Sequence, residues 1–193
     1  ESFVDELAHA AGKDGYAFRR ELLADSPRHL KVLDTAAKMS GWDRPLPDKH
    51  GRGIALVPSF GSIVAQVAEV DMSGSKPKVT KVHVAADPGF VINPDGFTAQ
   101  MESAIAYGLT AALYGDITLA SGKVQQSNFH DYPMLRMGEM PAIEVALING
   151  DHQHLGGGGE PGLPPIAPAV TNAIFAATGK RIRELPFAKH DFA

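Results

Sequence analysis

Residues 156–165 read Gly156-Gly157-Gly158-Gly159-Glu160-Pro161-Gly162-Leu163-Pro164-Pro165. Glycine lets a backbone approach another group closely and reach positive φ. Pro161 pushes the residue before it toward an extended conformation. A single carboxylate, Glu160, is thereby held on a stiff element beside bare backbone. That is what a general base next to a bulky ligand needs. The competing reading is a flexible surface loop, against which the prolines argue because they stiffen the residues after them. A phosphate-binding loop fits poorly, since no Gly-Lys-Ser/Thr follows the glycines. Four consecutive glycines also carry high chain entropy, so residues 149–163 are expected to be loosely ordered when nothing else holds them.

Gln100 is the second candidate. It falls one turn into a helical pattern, near Asn93 and Asp95, at the end of a helix that suits polar or anionic groups. A solvated helix residue is the alternative, and Glu102 reads the same way. His152 and His154 form an i, i+2 pair without a third ligand at fixed spacing, a weak zinc signal. No metal ligand is therefore assigned among this chain's side chains. The run Asn128-Phe129-His130-Asp131-Tyr132-Pro133 either lines a pocket or forms a polar turn. Residues 59–62 lack the Gly-x-Ser-x-Gly pattern of a hydrolase elbow.

The elements that position these residues follow from periodicity. Residues 1–41 are helical in three pieces, with Ser2 as an N-cap, Gly12 and Gly41 as stops and Ser26-Pro27 as a start. Arg44-Pro45-Leu46-Pro47 interrupts the pattern, so residues 42–52 read as a linker. A helical arm, residues 1–45, thus precedes a body, residues 53–193. After Gly53 the period changes to two, predicting strands over 54–59, 62–72 and 78–86 in an antiparallel meander with one buried face. Asn93-Pro94-Asp95-Gly96 is a turn that starts a helix over 97–114, whose apolar face runs through Phe97, Met101, Ala104, Ile105, Gly108, Leu109 and Ala112. A hairpin over 116–125 and a strand over 142–148 extend the sheet. Residues 149–168 form a Gly/Pro loop, and 171–177 a last helix. The expected class is α+β: a mainly antiparallel sheet with packed helices, the N-terminal arm, and the C-terminal Gly/Pro loop plus helix.

Composition narrows the function classes. The 193 residues carry 18 Lys+Arg against 22 Asp+Glu, a formal charge of −4, so a basic nucleic-acid footprint is not expected. At 44% hydrophobic residues the chain can bury a proper core. It has no cysteine, which excludes disulfides, thiolate metal sites, iron–sulfur ligation and cysteine nucleophiles in this chain. No apolar run reaches the roughly 18 residues of a membrane helix, so no transmembrane segment is expected. The chain opens on Glu1 and runs directly into a helical pattern, and is expected to be a processed or excised piece of something longer.

Four segments together carry a family resemblance. Residues 159–169, Gly-Glu-Pro-Gly-Leu-Pro-Pro-Ile-Ala-Pro-Ala, with Asn172-Ala173-Ile174 through Arg183, resemble the C-terminal end of molybdenum hydroxylase large subunits of the xanthine oxidase type. Asp87-Pro88-Gly89 through Asn93-Pro94-Asp95 and Ala99-Gln100-Met101-Glu102 resemble that family's cofactor-facing helix start. Residues 125–133 and the opening Glu1-Ser2-Phe3-Val4-Asp5-Glu6-Leu7-Ala8 resemble its branch of isoquinoline 1-oxidoreductase beta subunits and the related bacterial aldehyde dehydrogenases. The resemblance covers essentially the whole chain. It implies an oxidoreductase that hydroxylates N-heterocycles or oxidises aldehydes with water-derived oxygen. Glu160 is then the base, and Gln100 hydrogen-bonds a molybdopterin cofactor, expected in its cytosine dinucleotide form. Gly158 and Gly159 let the chain pass close to that cofactor. Implied partners are the remainder of the molybdenum subunit, a small 2Fe-2S subunit and a small-molecule substrate. The branch carries Gly-Gly-Val-Gly before the Glu, where this chain has Gly158 in place of Val. The family's upstream cofactor loops have no counterpart here, so the chain alone is expected to bind no cofactor. A non-catalytic interaction module that keeps the fold is the alternative reading.

Overall fold

The computed structural model describes residues 1–151 and 153–192. His152, half of the histidine pair singled out above, lies outside the described residues. Three helices open the chain: α1 (Ser2–Ala10), α2 (Gly15–Leu22) and α3 (Pro27–Ser40). Glu1, not Ser2, holds the N-cap position of α1. Asp14 caps α2 by accepting from the Tyr16 and Ala17 N–H groups, and Gly41 ends α3 in the left-handed conformation.

Strands β1 (His50–Ser59), β2 (Ser62–Asp71) and β3 (Lys78–Asp87) follow, then helix α4 (Pro94–Leu113). Asn93 accepts from Gly96 N–H and Pro94 takes the first turn, where its missing N–H costs nothing. A short hairpin, β4 (Leu119–Ala120) and β5 (Lys123–Val124), precedes β6 (Ala142–Leu147) and helix α5 (Ile166–Thr178). α5 starts five residues before the expected boundary. Pro165 and Pro168 sit at its cap and in its first turn, where backbone N–H groups have no intrahelical partner to lose.

The class is α+β, with a four-stranded sheet in the order β1-β2-β3-β6. Two details of the expected sheet are corrected. β6 pairs with β3 in parallel, and the 119–124 hairpin forms its own two-stranded sheet. The expected single buried face is also wrong, because residues 62–68 of β2 are buried without interruption. Val64, Ala68 and Val70 face a core shared with α4 and α5. Ile63, Ala65 and Val67 face α3 through Val32, Leu33, Ala36 and Ala37. Helices on both faces turn an alternating strand into a continuous apolar run. Among the described residues no helix is long and apolar enough to cross a membrane.

α5 crosses β1 at backbone contact. A Cβ on Gly51 would fall 2.0 Å from Ala173 O, and one on Gly53 2.2 Å from Ala173 N and 2.3 Å from Ala169 O. Both positions lie on the same face of β1, so the strand presents bare backbone to the helix. On the α3 face, beyond the end of that helix, a charged ladder crosses all four strands. Arg52 pairs with Glu69 at 2.8 Å and donates to the Gly41, Trp42 and Arg44 carbonyls that end α3. Buried His83 stands between Glu69 at 3.8 Å and Glu144 at 3.2 Å, and Lys81 closes the row on Glu144 at 3.1 Å.

Gly53→Ala should therefore destabilise the chain by about 3 kcal/mol, since backbone has nowhere to move. A urea midpoint unchanged from wild type would contradict this. The His83 imidazole is held below its ordinary value, first by burial and then by Lys81, which together outweigh the raising pull of Glu69 and Glu144. The unfolded chain therefore binds the extra proton first, and stability should fall as pH drops below roughly 6.5. His83→Gln should flatten that fall. Parallel urea-midpoint curves for wild type and H83Q between pH 7.5 and 5.5 would refute the assignment.

Candidate functional site

The sheet ends that carry the candidate residues are held by one ion pair. Arg28, in the first turn of α3, reaches the end of β3 and donates to both Asp87 carboxylate oxygens at 2.9 and 3.2 Å and to its carbonyl at 2.9 Å. Gly89 N–H also donates to Asp87, at 2.8 Å. Burial works to raise this carboxyl, but the Arg28 and Gly89 hydrogen bonds outweigh it and hold it below the ordinary carboxylate value. Gly89, at φ 87, then passes so close to His154 that a Cβ would lie 2.4 Å from the His154 carbonyl.

From here the glycine loop is tied down residue by residue. Phe90 N–H donates to His154 O at 3.0 Å, and Gly156 N–H to Pro88 O at 2.7 Å. Gly157 N–H donates to Phe60 O at 2.8 Å, and Ser62 Oγ donates to Gly157 O at 2.6 Å. Past Glu160, Gln66 Nε2 donates to Gly162 O at 2.7 Å. The loose loop expected from four glycines is thus a ladder of hydrogen bonds, and the glycines serve close approach more than freedom. A Cβ on Gly156 would meet Ser62 Oγ at 2.3 Å, and one on Gly158 the Phe97 ring at 2.9 Å. Of the four, Gly159 alone has open space around it, with nothing within 4 Å among the described residues.

Gln100, Gly159 and Glu160, far apart in sequence, line one open cleft of about 420 Å³. Ser103 and Tyr107 extend the Gln100 side of it, and Phe60 and Leu163 form its apolar rim. The i, i+3, i+7 spacing of Gln100, Ser103 and Tyr107 puts all three on one stripe of α4, a periodic signal that was available in the sequence. Phe60 sits at φ 53 in the tight β1–β2 turn, which props its ring outward at 62% exposure. The Glu160 and Gln100 side chains are exposed and make no hydrogen bond or ion pair among the described residues. Gly158 stands apart from its neighbour: it backs onto Phe97 while Gly159 opens on the cleft.

The other candidates hold structure. His154 Nε2 lies 2.7 Å from Gly61 O and fastens the loop to the β1–β2 turn. Asp131 accepts from the Ser127 and Asn128 N–H groups, making residues 127–131 a capped turn with His130 exposed. Among the described residues no group of three or more His, Asp or Glu could hold a metal ion. Sequence reasoning also missed Arg28, Ser62 and Gln66, whose partners are 59 to 96 positions away along the chain, and named Asp87 only within the family-like segment, not as the partner of Arg28.

Comparison with known proteins identifies the family. The chain is 42% identical over 191 residues to the beta subunit of isoquinoline 1-oxidoreductase from Brevundimonas diminuta, covering 96% of this chain and 24% of that protein. It is 34% identical over 206 residues to the B subunit of nicotinate dehydrogenase from Pseudomonas putida, covering 96% of this chain and 17% of that one. It therefore spans about a quarter or less of these two relatives. The fold is shared with the aldehyde oxidoreductase from Desulfovibrio gigas, at a TM-score of 0.57 and 24% identity, over 65% of this chain and 14% of that one. Residues 15–141, a stretch that includes Gln100, match the molybdopterin cofactor-binding domain. On that match and on the identity across nearly its whole length, the chain belongs to the molybdopterin cofactor-binding domain family.

Proposed function

We propose that this chain is the C-terminal part of the catalytic subunit of a molybdenum-dependent hydroxylase that acts on N-heterocycles or aldehydes with water-derived oxygen. One observation carries the reading: Gln100 and Glu160 present uncommitted polar heads to the same cleft, beside a glycine with open space around it. A cleft with one amide, one carboxylate and exposed backbone fits a large group with a hydrogen-bonding edge. Molybdopterin, in the cytosine dinucleotide form we assign to it, supplies the redox centre when bound.

The chain's own residues do the rest. The Gln100 amide donates and accepts at once, which suits a pterin edge. Gly159 lets that group lie against backbone, and Gly158 lets the loop turn over the Phe97 ring to reach it. Glu160 takes the proton from the water-derived nucleophile. This chain leaves Glu160 exposed, so the dry surroundings that make a carboxylate an effective base come from what covers the cleft in the complete enzyme. The apolar rim of Phe60, Tyr107 and Leu163 is the part of that cover this chain supplies. The remainder of the molybdenum subunit, a 2Fe-2S subunit as electron outlet and a small-molecule substrate are the partners this reading requires.

In the complete, cofactor-loaded enzyme, Glu160→Gln should lose turnover toward the upper end of the 10²–10⁴-fold range of general-base catalysis, about 2.7–5.4 kcal/mol of barrier, with molybdenum content unchanged. The amide keeps the shape and cannot take the proton. A loss below about tenfold would overturn the base assignment. Gln100→Ala should act differently, lowering molybdenum occupancy together with rate; full occupancy by metal analysis would remove Gln100 from the cofactor contact. The 193-residue chain by itself should bind no molybdenum, because it supplies one wall of the cleft. Near-stoichiometric metal in the purified chain would refute that.

A further inference from the structure

We infer that Ser62 and Gln66 are positioning residues for Glu160: two side chains of β2 that pin the glycine loop on either side of the carboxylate. The inference rests on the reading of Glu160 as a base. Ser62 and Gln66 are four residues apart on one strand, so they point to the same face. At about 3.3 Å per residue their donors stand roughly 13 Å apart along it. Ser62 Oγ donates to the carbonyl three residues before Glu160 at 2.6 Å, and Gln66 Nε2 to the carbonyl two residues after it at 2.7 Å. The loop thus bridges two fixed points on the most buried strand of the sheet, with Glu160 on the arch between them.

The surroundings make this clamp a demanding one. Gln66 is fully buried, in the apolar core beneath α4 and α5, and its Oε1 has no hydrogen-bond partner among the described residues. A buried amide with an unpartnered oxygen is costly, and an aliphatic side chain there would pack without that cost. What the amide contributes is the Nε2 donor to Gly162 O. Pro161 and Gly162 are buried directly beside exposed Glu160, and a Cβ on Gly162 would lie 3.0 Å from Ala104 Cβ of α4. The clamp therefore sets the height of Glu160 against the same helix that carries Gln100.

Gln66→Met removes the donor at similar volume, and Ser62→Ala removes the other with almost no change of shape. In the full chain, hydrogen exchange at residues 157–163 should speed up by about tenfold or more in either variant while β2 and β3 amides stay protected. In the complete, cofactor-loaded enzyme, kcat should fall about ten- to hundredfold with KM and molybdenum content unchanged, the loss a misplaced catalytic group produces. Loop exchange as in wild type, or an unchanged kcat in both variants where E160Q abolishes turnover, would overturn the clamp and leave the base reading intact. Faster loop exchange with full turnover in E160Q would overturn the base reading and with it the positioning role. If Q66M disturbs exchange throughout the sheet, S62A decides the matter alone by the same two readouts.

Discussion

The close approach of α5 to β1 is the constraint from which the site takes its shape. Because Gly51 and Gly53 have no side chains, the helix backbone rests directly on the strand, held also by Asn172 Nδ2 donating to Ile54 O at 3.1 Å. The same device recurs in the same helix layer, where a Cβ on Gly108 of α4 would meet Ile166 at 2.4 Å. The first residue of α5 is thus locked between strand and helix. The loop that precedes it has no choice about where to end, and Glu160 lies six residues before that point. Dense packing transmits position in this way because cores resist compression.

At its other end the loop is held by polar contacts. The Arg28–Asp87 pair joins the first turn of α3 to the end of β3, and the segment after Asp87 supplies Pro88 and Gly89 carbonyls to the loop. A charged pair serves here because it is only partly buried: the Arg28 side chain keeps access to water, so the desolvation cost is moderate. In the middle, Ser62 and Gln66 hold the loop from beneath. One rim of the cleft is therefore anchored by packing, one by charge and its floor by two buried donors. Gln100 comes from a separate helix, and its register against the loop is set where Met101 and Ala104 meet Gly162.

On the proposed function, the cleft is one wall of a larger site. Phe60, Tyr107 and Leu163 remain exposed around two polar groups that bond to nothing among the described residues. An apolar rim around a polar centre is the surface expected where another segment and a ligand complete a site. The charged ladder of Arg52, Glu69, His83, Glu144 and Lys81 lies on the opposite face of the sheet, so its titration bears on stability and not on the cleft.

The sequence by itself determined the local facts. Periods of 3.6 and 2 placed the main helices and strands to within about five residues, because each face must be apolar where it is buried. The Gly-Glu-Pro-Gly run and the segment around Gln100 marked the candidate residues, since glycine widens and proline narrows the backbone's choices whatever surrounds them. What only the tertiary structure decided was everything that depends on who packs against whom. Alternation along β1 to β3 could not show that α3 would cover the second face, nor that β6 would pair in parallel. Four glycines read as slack in one dimension; in three, Gly156, Gly157 and Gly158 are contacts, because Ser62, Phe60 and Phe97 occupy the space a side chain would need, and Gly159 alone of the four stays open among the described residues. Glu160 and Gln100 share a cleft because α5 rests on the β1 backbone, α4 packs on α5 at Gly108, and β2 side chains hold the loop, all between residues tens of positions apart, a relation no local pattern encodes.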